Sequence, residues 1–362
     1  MTLRGAIPST RRAITEDADG KGKIVNIPVP DLIPGTVLIK TKAVALNPGD
    51  YKIGAAFPAP GAVVGHDFAG TIVAIANGTE TDLRPGDMVC GVSNGSDPGT
   101  PENGAFASYL RTFAPQVMRL ASTSNTSIEQ AATLGLALAT CTLVFWGADA
   151  LDLPATPEQP AQTRQPILVY GGSTATGTIA IQLLRLSGFE PIATCSPRNF
   201  DLARARGATA VFDYADPATP AAIKKHTGDR LKYVLDCISD EHSVDMCYAA
   251  MARVGGRYTS LEVVPDELLA KRRAIKASFV MAFEISGYGT HFPGSYAKPA
   301  DLSKRELGVR FFPMYQRLLS EGKLRTHPTQ RLEDGLESVL DGLALLKSGS
   351  VSGKKLVVFL PD

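Results

Sequence analysis

The chain has 362 residues, a formal net charge of +1, 44% hydrophobic and 20% charged residues, an ordinary globular composition on a length that suits two domains. The near-neutral balance gives no reason to expect a nucleic acid or an anionic membrane as partner, and no apolar run is read as long enough to span a membrane. The opening MTLRGAIPSTRRAI has basic residues and no apolar stretch of the secretory kind, and the five cysteines include no CxxC pair. A disulfide framework and a thiolate zinc site are therefore not expected, and a reducing cytoplasmic setting is.

The first third reads as β-rich. Short alternating segments at residues 36–43 and 70–75 are separated by turn signals at Asn47-Pro48-Gly49, Asn77-Gly78 and Pro85-Gly86. From Thr126 the texture changes. Residues 127–146 are rich in Ala and Leu, with Glu129 three residues after Thr126 as a helix-start signature. Residues 151–166, rich in Pro, Gln and Thr, read as an exposed connector. Beyond them strand-like and helix-like runs alternate: strands at 167–170, 191–195, 210–212, 233–237 and 256–261, helices at 179–187, 201–206 and 243–251. That rhythm predicts a doubly wound parallel sheet. The tail predicts helices at 313–322 and 335–347 and a final strand at 355–360.

The run Ile167-Leu-Val-Tyr-Gly-Gly-Ser-Thr-Ala-Thr-Gly177 feeds a strand into a small-residue turn that opens a helix. A pyrophosphate wants this arrangement: outward N–H groups, small side chains and the positive end of a helix dipole. The spacing departs from G-x-G-x-x-G, so the pattern alone also suits a tight turn with no ligand. Its place inside a series of βαβ units favours the nucleotide, and Ser173, Thr174 and Thr176 offer hydroxyls to the phosphates. At the end of the next strand an NAD site wants a carboxylate for the ribose 2′-hydroxyl. Here Ala193-Thr-Cys-Ser-Pro-Arg-Asn199 supplies no acid but the hydroxyl of Ser196 and the guanidinium of Arg198, which predicts NADPH.

The Asn47-Pro48-Gly49-Asp50 turn, the Gly65-His66-Asp67-Phe68-Ala69-Gly70 segment, the Arg84-Pro85-Gly86-Asp87 turn and the glycine-rich loop occur in the order of the medium-chain dehydrogenase/reductase superfamily, which the chain resembles over nearly its whole length. The stretches YGGSTAT (170–176), IATCSP (192–197), NFDLA (199–203), RGA (206–208) and the closing Ser352-Gly353 with KLVV (355–358) are similar to the trans-acting enoyl reductases of fungal polyketide synthases, of the lovastatin type. Those enzymes work with synthases whose own enoyl reductase domain is inactive. The resemblance implies an α/β protein with a GroES-like β-rich catalytic domain at 1–137, a Rossmann NADPH-binding domain at 138–290 and a return to the catalytic domain at 291–362. It implies cofactor contacts at Gly49, Asp50, Tyr51 and Lys52, at Ser173, Thr174, Ala175 and Thr176, at Ser196, Pro197, Arg198 and Asn199, and at Tyr214, Ser260, Leu261, Val351 and Ser352. An acyl pocket is implied along Ala137, Leu138, Ala139, Thr140, Cys141, Thr142, Leu143 and Val144, and along Met281, Ala282, Phe283, Glu284 and Ile285. The family resembled also implies a monomer, and an acyl-carrier domain with a phosphopantetheine-bound substrate as partner.

Zinc alcohol dehydrogenases share the superfamily, and a catalytic zinc needs three protein ligands. The ligand positions fall on Asn47, His66 and near Leu136, so one histidine survives and no zinc is expected; His66 reads as a hydrogen-bonded structural residue. Hydride transfer without a Lewis acid wants an acceptor that is already electrophilic, and an α,β-unsaturated thioester fits. Lys52 is the candidate for the key polar group, positioning cofactor and substrate or donating a proton, with Tyr51 as a second possible donor and a solvated surface lysine as the plain alternative. Cys141 reads as core filler and Glu284 as a solvent-facing carboxylate. The basic group Lys271-Arg272-Arg273 with Lys276 suits either a solvated helix face or an acidic carrier domain. The competing functions are a stand-alone quinone or enone reductase and a cofactor-binding structural partner.

Overall fold

In the computed structural model residues 7–120 and 126–361 are described; residues 1–6, with which the N-terminal stretch opens, 121–125 and 362 lie outside. The chain forms two compact units, 1–139 with 283–362, and 140–282. The sequence-based division placed the boundaries at 137/138 and 290/291.

The first unit begins with a hairpin. β1 (Thr10–Glu16) and β2 (Gly22–Pro28) pair antiparallel around a turn in which Asp17 Oδ1 accepts from the N–H groups of Asp19 and Lys21, both at 2.9 Å. β3 (Thr36–Ala45) is buried along almost its whole length, as the middle strand of a sheet must be. After it comes the short helix α1 (Gly49–Ala56), then β4 (Asp67–Ile75), β5 (Met88–Val92), β6 (Tyr109–Phe113) and β7 (Val117–Arg119). The turns expected at Gly78 and Gly86 are present, with φ of 75° and 99°, values that glycine alone takes readily. α2 (Ile128–Ala131) and α3 (Gly135–Trp146) follow.

The second unit is a Rossmann sheet. It contains β8 (Pro166–Tyr170), α4 (Ala175–Leu186), β9 (Glu190–Cys195), α5 (Phe200–Ala205), β10 (Ala210–Asp213), α6 (Thr219–Thr227), β11 (Tyr233–Asp236), α7 (Glu241–Ala250), β12 (Gly256–Ser260), α8 (Asp266–Leu269) and β13 (Ile275–Phe279). The strands are all parallel, in the order β10-β9-β8-β11-β12-β13. Winding reverses at β8, so the loop leaving that strand lies at the switch point where such sheets bind ligands. β13, the edge strand Ile-Lys-Ala-Ser-Phe, was not anticipated; its mixed burial gives it neither a clean alternation nor an apolar run.

The chain then completes the first unit through β14 (Thr290–His291), β15 (Ala297–Lys298), α9 (Leu302–Ser320), β16 (Thr329–Arg331), α10 (Leu336–Lys347) and β17 (Lys355–Phe359). β17 pairs antiparallel with β3, Val357 opposite Ala45, and the sheet runs β16-β17-β3-β4-β5-β7, with β6 also on β3. The last strand thus shares one core with the first third of the chain: Val358 and Leu356 pack with Ile39, Val44 and Phe68.

Four local expectations need correction. The helix start is set one residue later than read: Ser127, not Thr126, caps α2, its hydroxyl accepting from Gln130 N–H while the Gln130 side chain takes the Ser127 N–H. The stretch Ile128–Trp146 is in fact long and apolar enough to cross a membrane, at 19 residues and mean hydropathy 1.5, but 78% of it is buried within the protein, which is the situation of a core helix. Pro313 lies in the middle of α9 rather than at its start, because Asp301 caps the helix twelve residues earlier by accepting from Ser303 N–H at 3.0 Å. In the expected connector, Leu151, Leu153 and Ala155 are buried, so its first half is anchored and only its second half is continuously near the surface.

The seat of α4 against the loop leaves no room at Gly177: a Cβ there would lie 2.3 Å from Gly171 O and 2.9 Å from Gly172 Cα. Gly177→Ala is therefore expected to destabilise the protein by about 1–3 kcal/mol and to weaken nucleotide binding. Thermal unfolding and a nucleotide titration check this, and an unchanged midpoint with unchanged affinity would contradict it.

Candidate functional site

In the second unit, the fully buried β8 delivers the chain to Gly171, at φ 80°. Gly172 follows with its α-carbon against β9, where a Cβ would meet that of Ala193 at 2.6 Å. Thr174 caps α4: its hydroxyl accepts from Gly177 N–H at 3.0 Å and donates to Gly171 O at 2.8 Å. Its proton is thus spent on the loop, which corrects its reading as a phosphate donor. Ser173 Oγ accepts from Asn199 Nδ2 at 3.3 Å, tying the loop to the turn after β9. The cradle fits a pyrophosphate: a glycine turn without side chains at the N-terminus of a twelve-residue helix.

At the end of β9 the chain passes Ser196, Pro197, Arg198 and Asn199 in a 3₁₀ turn. Ser196 Oγ donates to Tyr214 Oη at 3.5 Å, and Arg198 is exposed beside Ser196 in sequence. The nearby carboxylate, Asp213 opposite Cys195 in β10, caps its own turn by accepting from Ala215 N–H at 3.0 Å. Ser260, proposed as a cofactor contact, is buried and its hydroxyl donates to Ser278 O at 3.3 Å, while Leu261 N–H donates to Ser239 Oγ at 3.0 Å.

Asp236, which the sequence reading passed over, organises the loop after β11. It is fully buried and accepts from the N–H groups of Ile238 and Ser239 (both 2.9 Å), Ser243 Oγ (2.6 Å) and Tyr258 Oη (2.8 Å). Burial pushes its carboxyl above the usual range, and these four donors pull it back. The signal was present in the sequence as an acid closing the apolar strand YVLD.

In the first unit the Asn47-Pro48-Gly49-Asp50 turn and the GHD segment build a buried polar network. Asp50 is 4% exposed; its Oδ2 accepts from Asn47 N–H at 2.6 Å and its Oδ1 pairs with His66 Nδ1. Asp67 accepts from Leu136 N–H at 2.7 Å, from Asn47 Nδ2 at 3.0 Å and from Lys355 Nζ at 2.7 Å. The same ammonium donates to Asn47 Oδ1. Lys355 is 4% exposed at the start of β17. It too was missed, although a lysine opening the apolar strand KLVVF was its signal. The His66 ring stacks on Phe283 with centroids 4.7 Å apart.

These residues do not fit a catalytic zinc. Asn47 has both ends of its amide committed, one to Asp67 and one to an ammonium whose charge would repel a metal ion, and Leu136 carries no donor atom. Of the three expected ligand positions only His66 carries a side chain that ligates zinc readily. No step of the chemistry is therefore routed through a metal.

Burial also sorts the remaining candidates. Helical periodicity turns Asp50 and Gly54 of α1 inward and leaves Lys52 exposed, with Tyr51 half-buried and Gly49 at the first turn. The side chain of Asp50, expected to meet cofactor, instead belongs to the buried network. Val351 and Ser352 are half-buried ahead of β17. Along α3, Leu138, Ala139, Cys141, Thr142 and Val144 are 0% exposed and Ala137, Leu143 and Thr140 at most 6%, so these eight residues are core on every side of the helix. Cys141 is filler as read, its thiol pushed well up by burial. Met281, Phe283 and Ile285 are buried and Ala282 is half-buried. Glu284 is not solvent-facing: it is 5% exposed and paired with Lys304 from the first turn of α9, a partner distant in sequence. In the basic group, Lys271 pairs with Asp245 at 2.6 Å, and Arg272 donates to the carbonyls of Tyr248, Met251 (3.2 Å) and Ala252 (2.7 Å). Arg272 is thus a cap on the end of α7 and not a solvated charge.

Two family patterns match the chain: the alcohol dehydrogenase GroES-like domain over residues 33–122 and the zinc-binding dehydrogenase over residues 175–304. The trans-enoyl reductase TwmE of Talaromyces wortmannii is 49% identical over 97% of this chain and 98% of its own length. The trans-enoyl reductase FSL5 of Gibberella zeae is 43% identical over 98% and 99%. Among solved structures, the CurK enoyl reductase superposes with a TM-score of 0.74 at 17% identity over 98% of this chain and 100% of that one. An alcohol dehydrogenase superfamily protein from Novosphingobium aromaticivorans does so at 0.75 and 23% identity over 97% and 100%. At those identities the structures establish the fold.

The network makes a quantitative prediction. Lys355→Met leaves Asp67 charged and buried without its cation, and is expected to cost about 3–5 kcal/mol. Lys355→Met with Asp67→Asn should recover part of that loss. Urea unfolding measures both; a single-variant cost below about 1 kcal/mol, the value of an exposed pair, would contradict the account.

Proposed function

The chain belongs to the trans-enoyl reductases of the medium-chain dehydrogenase/reductase superfamily, and on that premise we propose that it uses NADPH to reduce an α,β-unsaturated polyketide thioester carried by a partner polyketide synthase. It is an oxidoreductase acting on a carbon–carbon double bond, and its superfamily depends on pyridine nucleotides. The choice of NADPH rests on one observation, the acid-free turn after β9, in which the Ser196 hydroxyl meets that of Tyr214 and an exposed Arg198 follows two residues on. A 2′-phosphate wants donors and a guanidinium there, and a 2′-hydroxyl wants a carboxylate.

NADPH, when bound, supplies the hydride that adds to the β-carbon, leaving an enolate at the thioester. The backbone N–H groups of Ser173, Ala175 and Thr176 at the N-terminus of α4 hold the pyrophosphate, while Thr174 N–H closes the loop on Gly171 O at 2.9 Å and Asn199 fixes Ser173. Lys52, held outward on α1 by the inward anchoring of Asp50, is assigned to the developing charge, as a cation that stabilises it or as the source of the α-proton. The phenol of Tyr51 is the second donor on the same helix. Phe283, Met281 and Ile285 supply apolar surface for the acyl chain. The working species is read as a cytoplasmic monomer that meets an acyl-carrier domain of the synthase.

NADPH oxidation is to be followed with an α-methyl-α,β-unsaturated acyl-pantetheine thioester, with NADH and a simple quinone in parallel. Turnover of the thioester with NADPH preferred is the expected result. Turnover of the quinone and not of the thioester would overturn the reading in favour of a free-standing quinone reductase. Lys52→Ala is expected to lower kcat on the thioester by roughly 10²–10⁴-fold, the range of a lost acid–base or oxyanion group, while NADPH still binds; an unaltered kcat would remove Lys52 from the mechanism.

A further inference from the structure

Within the first unit lies a groove with room for about 360 Å³, a size in the range of small-molecule sites, roughly 300–1,000 Å³. Its polar lining is unusually constrained. Asn94 donates from Nδ2 to Phe283 O at 3.5 Å, and its Oδ1 is buried with no partner among the described residues. Asn103, 7% exposed, has its Oδ1 taken by Arg111, whose Nη2 and Nε donate at 3.0 and 3.2 Å. Arg111 is itself buried and anchored to Asp31 O at 2.6 Å. What Asn94 can offer a ligand is therefore an acceptor, and what Asn103 can offer is a donor. An acceptor and a donor together are the complement of a secondary amide, with its N–H and its carbonyl.

The rest of the lining extends the match. One wall is apolar, made by Ile33, Pro34, Phe113 and Tyr288, the last two stacked with ring centroids 4.5 Å apart. Arg305 donates to Tyr288 Oη at 2.6 Å and places its guanidinium 5.4 and 5.9 Å from the two ring centroids. It is half-buried beside that wall. Asp97, 1% exposed, is held by Gly99 N–H at 2.8 Å and His291 Nδ1 at 3.0 Å. Phe283, to which Asn94 is tied, is the residue stacked on His66, so one contiguous set of contacts leads from the groove to the α1 turn.

We infer that this groove is a subsite for the phosphopantetheine arm of the carrier-borne substrate. Asn94 and Asn103 bind the pantoyl–β-alanine amide, the Phe113–Tyr288 wall covers the neighbouring gem-dimethyl group, and Arg305 meets the phosphate. The inference rests on the thioester-reductase reading above and adds to it the residues that recognise the arm.

Substrate truncation tests it. KM is measured for one acyl group carried on phosphopantetheine, on pantetheine and on N-acetylcysteamine, which lacks the pantoyl amide. Asn94→Leu is expected to raise the ratio of the pantetheine KM to the N-acetylcysteamine KM about tenfold, the loss of one hydrogen bond. Arg305→Gln is expected to raise the ratio of the phosphopantetheine KM to the pantetheine KM by about fivefold or more. Ratios that stay at the wild-type values would overturn the inference, whatever happens to kcat. Calorimetric titration of free phosphopantetheine into wild type and both variants gives an independent answer: weaker binding in both variants supports the subsite, and equal binding removes it. Should wild type reduce none of the thioesters, the proposed activity fails while the titration still decides the groove.

Discussion

One buried cation holds the first unit's polar centre together. Lys355 enters on β17 and places its ammonium against Asp67 and Asn47, residues 288 and 308 positions earlier. A lysine so completely removed from water is stable only because a carboxylate and an amide oxygen replace its hydration. Everything nearby follows from that demand. Asp67, buried opposite that ammonium, also collects the N–H of Leu136 and the amide of Asn47 as donors. Asn47, oriented by both charges, offers its own N–H to Asp50. Asp50 in turn fixes His66 and the first turn of α1, and with it the outward direction of Lys52.

The same demand decides the metal question. A carboxylate behind a histidine is how metal sites commonly orient their ligands, and Asp50 with His66 reproduces that pair. What is missing is the remainder of the donor set: a committed amide at Asn47, an aliphatic side chain at Leu136 and an ammonium where a cation would have to fit. The charges of this centre balance one another without a zinc ion.

The second unit reaches its function by packing instead of charge. Gly172 and Gly177 bring β8, β9 and α4 so close that a methyl group would collide with the Ala193 side chain at Gly172 and with the Gly171 backbone at Gly177. That contact presents the N-terminus of α4 and the loop N–H groups at the switch point of the sheet. Asp236 does the equivalent on the neighbouring strand, gathering two N–H groups and two hydroxyls into a fixed turn.

Much of this was legible before any coordinates. The βαβ rhythm, the glycine loop and the missing acid after β9 are local patterns, and local patterns survive in a sequence. What escaped reading was decided by distant partners. Glu284 looked solvated because Lys304, twenty residues on, is invisible as a partner in one dimension. Lys355 was only the first residue of an expected strand, with nothing local to mark its partners. Arg272 looked like surface charge until the carbonyls of α7 appeared beneath it. Thr174 was offered to the phosphates, but its capping geometry spends the proton on Gly171. The helix expected at 313–322 starts at Leu302 instead, because its cap is Asp301.

The most direct test of the account is turnover of an acyl-pantetheine enoate by NADPH after exhaustive dialysis against a zinc chelator, with the metal content of the same sample measured. The account predicts an undiminished rate and zinc far below one atom per chain. Stoichiometric zinc, with activity lost on chelation and restored by added zinc, would contradict it.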